Sequence, residues 1–135
     1  MVDLAPTAFG LGPLPGVDLA QAADVVLSET PLPHLPQLPD RGLDAVGRTA
    51  ALLEIPIGRG PRGWRVAPRK RADGDRMARD LDQLEELWHG KVDRVKVQLV
   101  GPWTLAAEIE MPNGHRAITD PGALRDITEA LLEAV

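Results

Sequence analysis

Pro31, Pro33, Pro36 and Pro39, in "PLPHLPQLPDRG" (31–42), restrict this chain more than any other feature. A proline has no backbone N–H and a fixed φ, so no helix runs through this stretch. Two more Gly/Pro clusters, "GLGPLPG" (10–16) and "IPIGRGPRG" (55–63), read in the same way. All three are long loops set between regular elements. Loops of this kind are often functional and sometimes mere connectors.

The regular elements fall between them. "TAFGLG" (7–12) predicts a short strand ending in glycines. Asp18 reads as a helix cap, with Gln21 three residues on, ahead of a helix over 19–29. A second helix is expected over 43–54, weakened by Gly47, and a short strand over 63–67. "RKRADGD" (69–75) reads as a charged loop. The clearest helix covers 75–90: Met77, Leu81, Leu84 and Trp88 form one apolar stripe. Arg76 and Asp80 are spaced to pair across a turn, and Gly90 suits the left-handed end. "RVKVQLVG" (94–101) is the clearest strand, with Val95, Val97 and Leu99 facing one way and Lys96, Gln98 and Val100 the other. A helix follows the Gly101-Pro102 corner. The last helix, 119–135, has Asp120 as cap and Pro121 at its first position, with Leu124, Ile127, Leu131 and Val135 as its buried stripe.

Strands alternating with helices imply an α/β fold with a parallel sheet. The chain ends inside an amphipathic helix, so a continuation is expected. In parallel α/β folds, ligands meet the carboxyl ends of strands. Gly10, Gly12, Gly101 and Pro102 would lie at such ends, on one face of the sheet. Glycine permits close backbone approach there, and Thr104 is able to cap the next helix or donate to a ligand. From local pattern alone, both corners read first as plain tight turns.

Composition removes some classes of function. The net charge of -5 argues against a general nucleic-acid binder. No apolar run reaches the length of a membrane span, and the N-terminus has no basic region of the kind that opens a secretory signal. Cysteine is absent, which excludes disulfides and Cys-containing zinc sites in this chain and is compatible with a cytoplasmic location. With three Trp, one Phe and no Tyr, the core must be mainly aliphatic.

Four segments, "GLGPLPG" (10–16), "PHLPQLPDRG" (33–42), "GRTAALL" (47–53) and "GPWTLA" (101–106), together resemble the N-terminal half of the cobalamin-independent methionine synthase family, in particular its short actinobacterial type. The wider superfamily includes uroporphyrinogen decarboxylase, with a similar Gly-Pro-x-Thr corner. The resemblance implies a partial (β/α)8 TIM barrel over residues 1–135, parallel strands with flanking helices, cut off before its second half. It implies methyl transfer from a methylated folate to homocysteine, with zinc activating the sulfur as thiolate. The family's zinc ligands lie in the missing half, so this chain alone would not complete that site.

The resemblance assigns the amino-acid part of homocysteine or methionine to Leu11, Gly12 and Pro13. Pro13 departs from the family's usual Ser and loses both a hydroxyl and a backbone donor. Trp103 and Thr104 become pocket candidates. His34 is a rim candidate for substrate or a loop hydrogen bond. Arg41 and Arg48 suit a carboxylate; by its exposure class Arg41 reads equally as a solvated loop residue. His89 suits a helix C-terminus, His115 a turn, and Glu108 and Glu110 receive no role. No catalytic residue is assigned, and the three His make no metal spacing. Three readings stay open: a methyltransferase piece, a non-catalytic carboxylate-binding or self-associating half-barrel with open sheet edges, and a decarboxylase-like enzyme.

Overall fold

The computed structural model describes residues 7–68 and 71–135, and of residues 71–73 the backbone alone. The chain divides into two compact units. The first holds the chain up to Gly42 together with Ala78–Gln98, and the second holds Leu43–Met77 and Leu99–Val135.

The described part of the first unit opens with an extended segment, followed by α1 (Leu19–Glu29). Asp18 caps α1 by accepting from the Gln21 N–H at 3.1 Å, as its position in the sequence predicts. Leu19, Ala22, Ala23 and Val26 form the buried face. They pack with Leu38, Leu84 and Trp88 into one apolar cluster. Leu84 and Trp88 come from α3 (Arg71–Trp88), which ends before Gly90 in the left-handed region at φ 71°. Helix α3 starts earlier than expected, since residues 71–75 are helical; Arg69 and Lys70 of the anticipated charged loop lie outside the described residues. Two of the three predicted stripe residues in this unit, Leu84 and Trp88, are buried, while Leu81 is exposed.

The predicted strands at 7–12 and 94–101 do not form a sheet. Three extended segments instead meet through single parallel pairings: Phe9 with Leu32, Pro13 with Gln37, and His34 with Lys96. The middle segment bonds on both sides. Its Gln37 N–H donates to the Gly12 carbonyl at 2.9 Å, and its Leu35 N–H to the Lys96 carbonyl at 3.0 Å. Pro31, Pro33 and Pro36 supply no donors, which stops the pairings from extending into a ladder. The alternation along 95–100 is real, with Val95, Val97 and Leu99 exposed and Lys96, Gln98 and Val100 half-buried.

The second unit holds α2 (Ala45–Ala50), β1 (Ile57–Gly60), β2 (Gly63–Val66), α4 (Pro102–Glu108) and α5 (Pro121–Ala134). Asp44 caps α2 through the Gly47 N–H at 2.8 Å, so the helix begins later than residue 43. It ends at Ala50, and tighter i to i+3 bonds at Leu52 and Leu53 lead out toward Pro56. Strand β1 lies inside a stretch that reads as loop. It pairs antiparallel with β2, Ile57 opposite Val66 and Gly60 opposite Gly63, with Pro61 and Arg62 in the turn. Asp120 caps α5 from both Gly122 and Ala123 N–H groups. Ile127 and Leu131 are buried with Leu105, Ile109, Trp64 and Ile57 in the core, whereas Val135 is exposed. Gly101 occupies the cap position of α4 and Thr104 lies within the helix, so Thr104 is not its cap.

The expected fold class is therefore overturned. The only named sheet among the described residues is the two-stranded antiparallel β1–β2 hairpin, accompanied by five α-helices. Among the described residues, the parallel strands of a partial barrel are not present. The molecule is a small α/β protein whose parallel contacts are single pairings.

Candidate functional site

The polar residues of the first unit gather where the three extended segments meet. Gly10 and Gly12 make this possible. A Cβ on Gly10 would stand 2.3 Å from His34 Cε1 and 2.7 Å from its Nδ1. Gly12 has φ 117°, in the left-handed region, and a Cβ there would stand 2.6 Å from Gln98 Nε2 and 3.1 Å from Gln37 Oε1. Only glycine allows both the conformation and the approach. The backbone of 10–12 is thereby laid against the side chains of His34, Gln37 and Gln98.

Lys96 supplies the charge. Its ammonium donates to the Gly10 carbonyl at 2.9 Å and sits 4.8 Å from the centroid of the Phe9 ring. Gln98 Nε2 donates to the Leu35 carbonyl, which fixes which end of that amide is the acceptor. His34 and Gln37 are each only 4% exposed. Three buried atoms in this group have no hydrogen-bond partner: His34 Nδ1, Gln37 Oε1 and Gln98 Oε1. Burial, and then the Lys96 ammonium, hold the His34 imidazole below its ordinary pKa of 6.5, so the ring is neutral at neutral pH. One cation therefore stands in a neighbourhood of unused acceptors. A buried polar group without a partner costs about 1–3 kcal/mol, and native proteins usually satisfy such groups with water or a ligand.

The candidates read from the sequence are distributed unevenly. Gly12 is buried in the cluster, Pro13 pairs with Gln37 at its edge, and Leu11 is 81% exposed beside it. The departure at Pro13 has a local explanation. Gln37 bonds to the flanking Gly12 carbonyl and Leu14 N–H, so the pairing does not use an N–H at position 13. His34 moves from an expected rim position to the centre. Arg41 is half-buried and its guanidinium meets the buried Asp80 carboxylate at 3.1 Å, so its charge has a structural counterpart. Trp103 and Thr104 belong to the second unit, both exposed on α4. Arg48 is buried in α2, while His89 and His115 are exposed. Gln37, Lys96 and Gln98 were missed as site residues. The available signal was the Lys-x-Gln alternation inside an apolar extended run.

Among the described residues, no group of three or more His, Cys, Asp or Glu side chains is placed to hold a metal ion. The zinc implied by the resemblance does not fit the residues present, which include no cysteine. Among the described residues, no helix is long and apolar enough to cross a membrane. Comparison with family models, with curated proteins and with solved structures gave no match in any of the three.

Proposed function

We propose that this chain is a methionine synthase-like protein whose own share is substrate binding, the first unit receiving the amino-acid end of homocysteine or methionine. The observation that supports it is the set of three buried, unpartnered atoms beside one ammonium. An amino-acid zwitterion complements that set. Its carboxylate pairs with Lys96, and its ammonium donates to Gln37 Oε1, Gln98 Oε1 and the neutral His34 Nδ1. The glycine corner that the resemblance assigns to this role is the same backbone that His34, Gln37 and Gln98 pack against. Methyl transfer from a methylated folate to homocysteine is the activity that the resemblance implies for this reading. The reading takes the cytoplasm as its setting, with which a chain lacking cysteine is compatible.

A second reading, a carboxylate binder without chemistry, draws on Lys96 being the one charged group of the cluster whose contact is a neutral carbonyl. Calorimetry of the full chain with L-homocysteine, L-methionine and butyrate separates the two. The zwitterion reading predicts that both amino acids bind and that butyrate binds roughly 10- to 100-fold more weakly, the loss of about 1–3 kcal/mol from leaving buried acceptors unmet. Equal binding of butyrate supports the carboxylate reading. No heat from any of the three removes both.

A further inference from the structure

The second unit carries an unrelated charge arrangement on its hairpin. Arg65 of β2 lies opposite Gly58. Glu110 pairs alongside Arg65, and Arg116 pairs with Glu110. Directly paired residues project from the same face, so Arg65, Glu110 and Arg116 share one. Arg62 reaches in from the turn and meets Glu110 Oε2 at 3.0 Å, and Glu110 is 9% exposed. Arg116 Nη1 donates to the Glu108 carbonyl at 3.0 Å.

Arg65 differs from both of these arginines. It is half-buried, its Nε is buried without a partner, and its guanidinium has no ion pair or hydrogen bond among the described residues. The side chain lies across bare backbone: a Cβ on Gly60 would stand 2.5 Å from Arg65 Cδ. Glycine at 60 thus makes the space that Arg65 occupies. A guanidinium taken partly out of water without a counter-ion is costly. Glu110, which pairs with Arg65, is engaged by Arg62. Arg65 Nε is buried, so its Nη groups are the donors left to meet an oxyanion.

We propose that this face of the hairpin binds a small oxyanion, a phosphate or carboxylate group, on the Arg65 guanidinium. Among the described residues no polar contact holds the Arg65 guanidinium, so its Nη donors are unspent. The inference concerns the second unit alone and does not rest on the amino-acid site of the first.

The test is a titration of the full chain followed through arginine Nε–H resonances. Inorganic phosphate is used in one arm and tricarballylate in the other, at constant ionic strength set with sodium chloride. The expected result is a saturable shift of the Arg65 Nε–H signal in at least one arm. The arm that responds identifies the source as phosphate or carboxylate. Read at the Gly60 amide, Arg65→Gln weakens the response at least tenfold. Arg125→Gln, on the exposed outer part of α5, leaves it unchanged. A non-saturating drift in both arms overturns the proposal, as does an undiminished response in a folded Arg65→Gln. The wild-type titration decides by itself should that variant not fold, since the Arg65 resonance is assignable through side-chain correlations.

Discussion

The two units satisfy their buried polar groups to different degrees: among the described residues the first leaves four buried side-chain atoms without a partner and the second one, Arg65 Nε. In the second, Thr49 Oγ1 accepts from the Val100 N–H at 3.0 Å, Trp64 Nε1 donates to Asp44 Oδ1 at 2.9 Å, and Glu110 meets Arg62. In the first, His34 Nδ1, Gln37 Oε1, Gln98 Oε1 and Trp88 Nε1 are buried and unmet. The backbone follows the same division. The second unit has a hydrogen-bonded hairpin ladder, while the first has single pairings punctuated by prolines. The contrast teaches that the first unit is not merely a smaller core. It holds unsatisfied groups that a folded chain does not need for its own stability, and such groups are where function is expected to lie.

The largest effect should come from the better satisfied unit. Leu105 is fully buried in its core, and Leu105→Ala is expected to cost about 2–5 kcal/mol in urea denaturation. A loss under about 1 kcal/mol would mean that this core is not the one described. Trp64→Phe is expected to cost about 1–3 kcal/mol, because the ring is trimmed and the bond to Asp44 is lost. The matching change in the unsatisfied unit should behave differently. Gln37→Leu removes a buried acceptor that has no partner, so stability is expected to stay within about 1 kcal/mol of wild type or to rise. Binding of L-methionine should fall at least tenfold in the same variant. If Gln37→Leu instead destabilises as Trp64→Phe does, the two units do not differ in the stated way.

Some of this was legible in the sequence. Helices α1 and α5 were, because Asp18 and the Asp120-Pro121 pair mark their starts unambiguously and their apolar spacing is helical. The hairpin was legible only in its second strand, expected over 63–67 and found as β2 (Gly63–Val66). Strand β1 carries Gly58, Arg59 and Gly60 where apolar alternation would have signalled a strand. The parallel sheet was inferred from strand-helix alternation, which counts elements without asking whether their neighbours have donors to share. Pro31, Pro33 and Pro36 do not. His34 and Gly12 were found as site residues because histidine and paired glycines attract notice. Gln37, Lys96 and Gln98 were not, since polar residues alternating along a strand ordinarily face solvent, and here they face inward.

Smaller effects sharpen the contrast. Backbone amides in single pairings, such as Leu35 and Lys96, should exchange with deuterium ahead of the hydrogen-bonded amides of the β1–β2 ladder. Stability should also depend on pH through His34. Its folded pKa lies below 6.5, so below about 6.5 the unfolded chain binds more protons than the folded one. The neutral ring's contribution is complete above that pH. It declines as pH falls from there through the lowered folded value. His34→Gln should flatten the decline in a urea series from pH 7.5 to pH 5.

The most direct test of the central claim is the long-range 1H–15N spectrum of the His34 imidazole, recorded without and with L-methionine. The account predicts a neutral ring whose Nδ1 has no hydrogen-bond partner in the free protein. It predicts that this nitrogen shifts saturably, in the direction of an acquired hydrogen bond, as the amino acid is added. An Nδ1 signal indifferent to L-methionine at saturating concentration would contradict it.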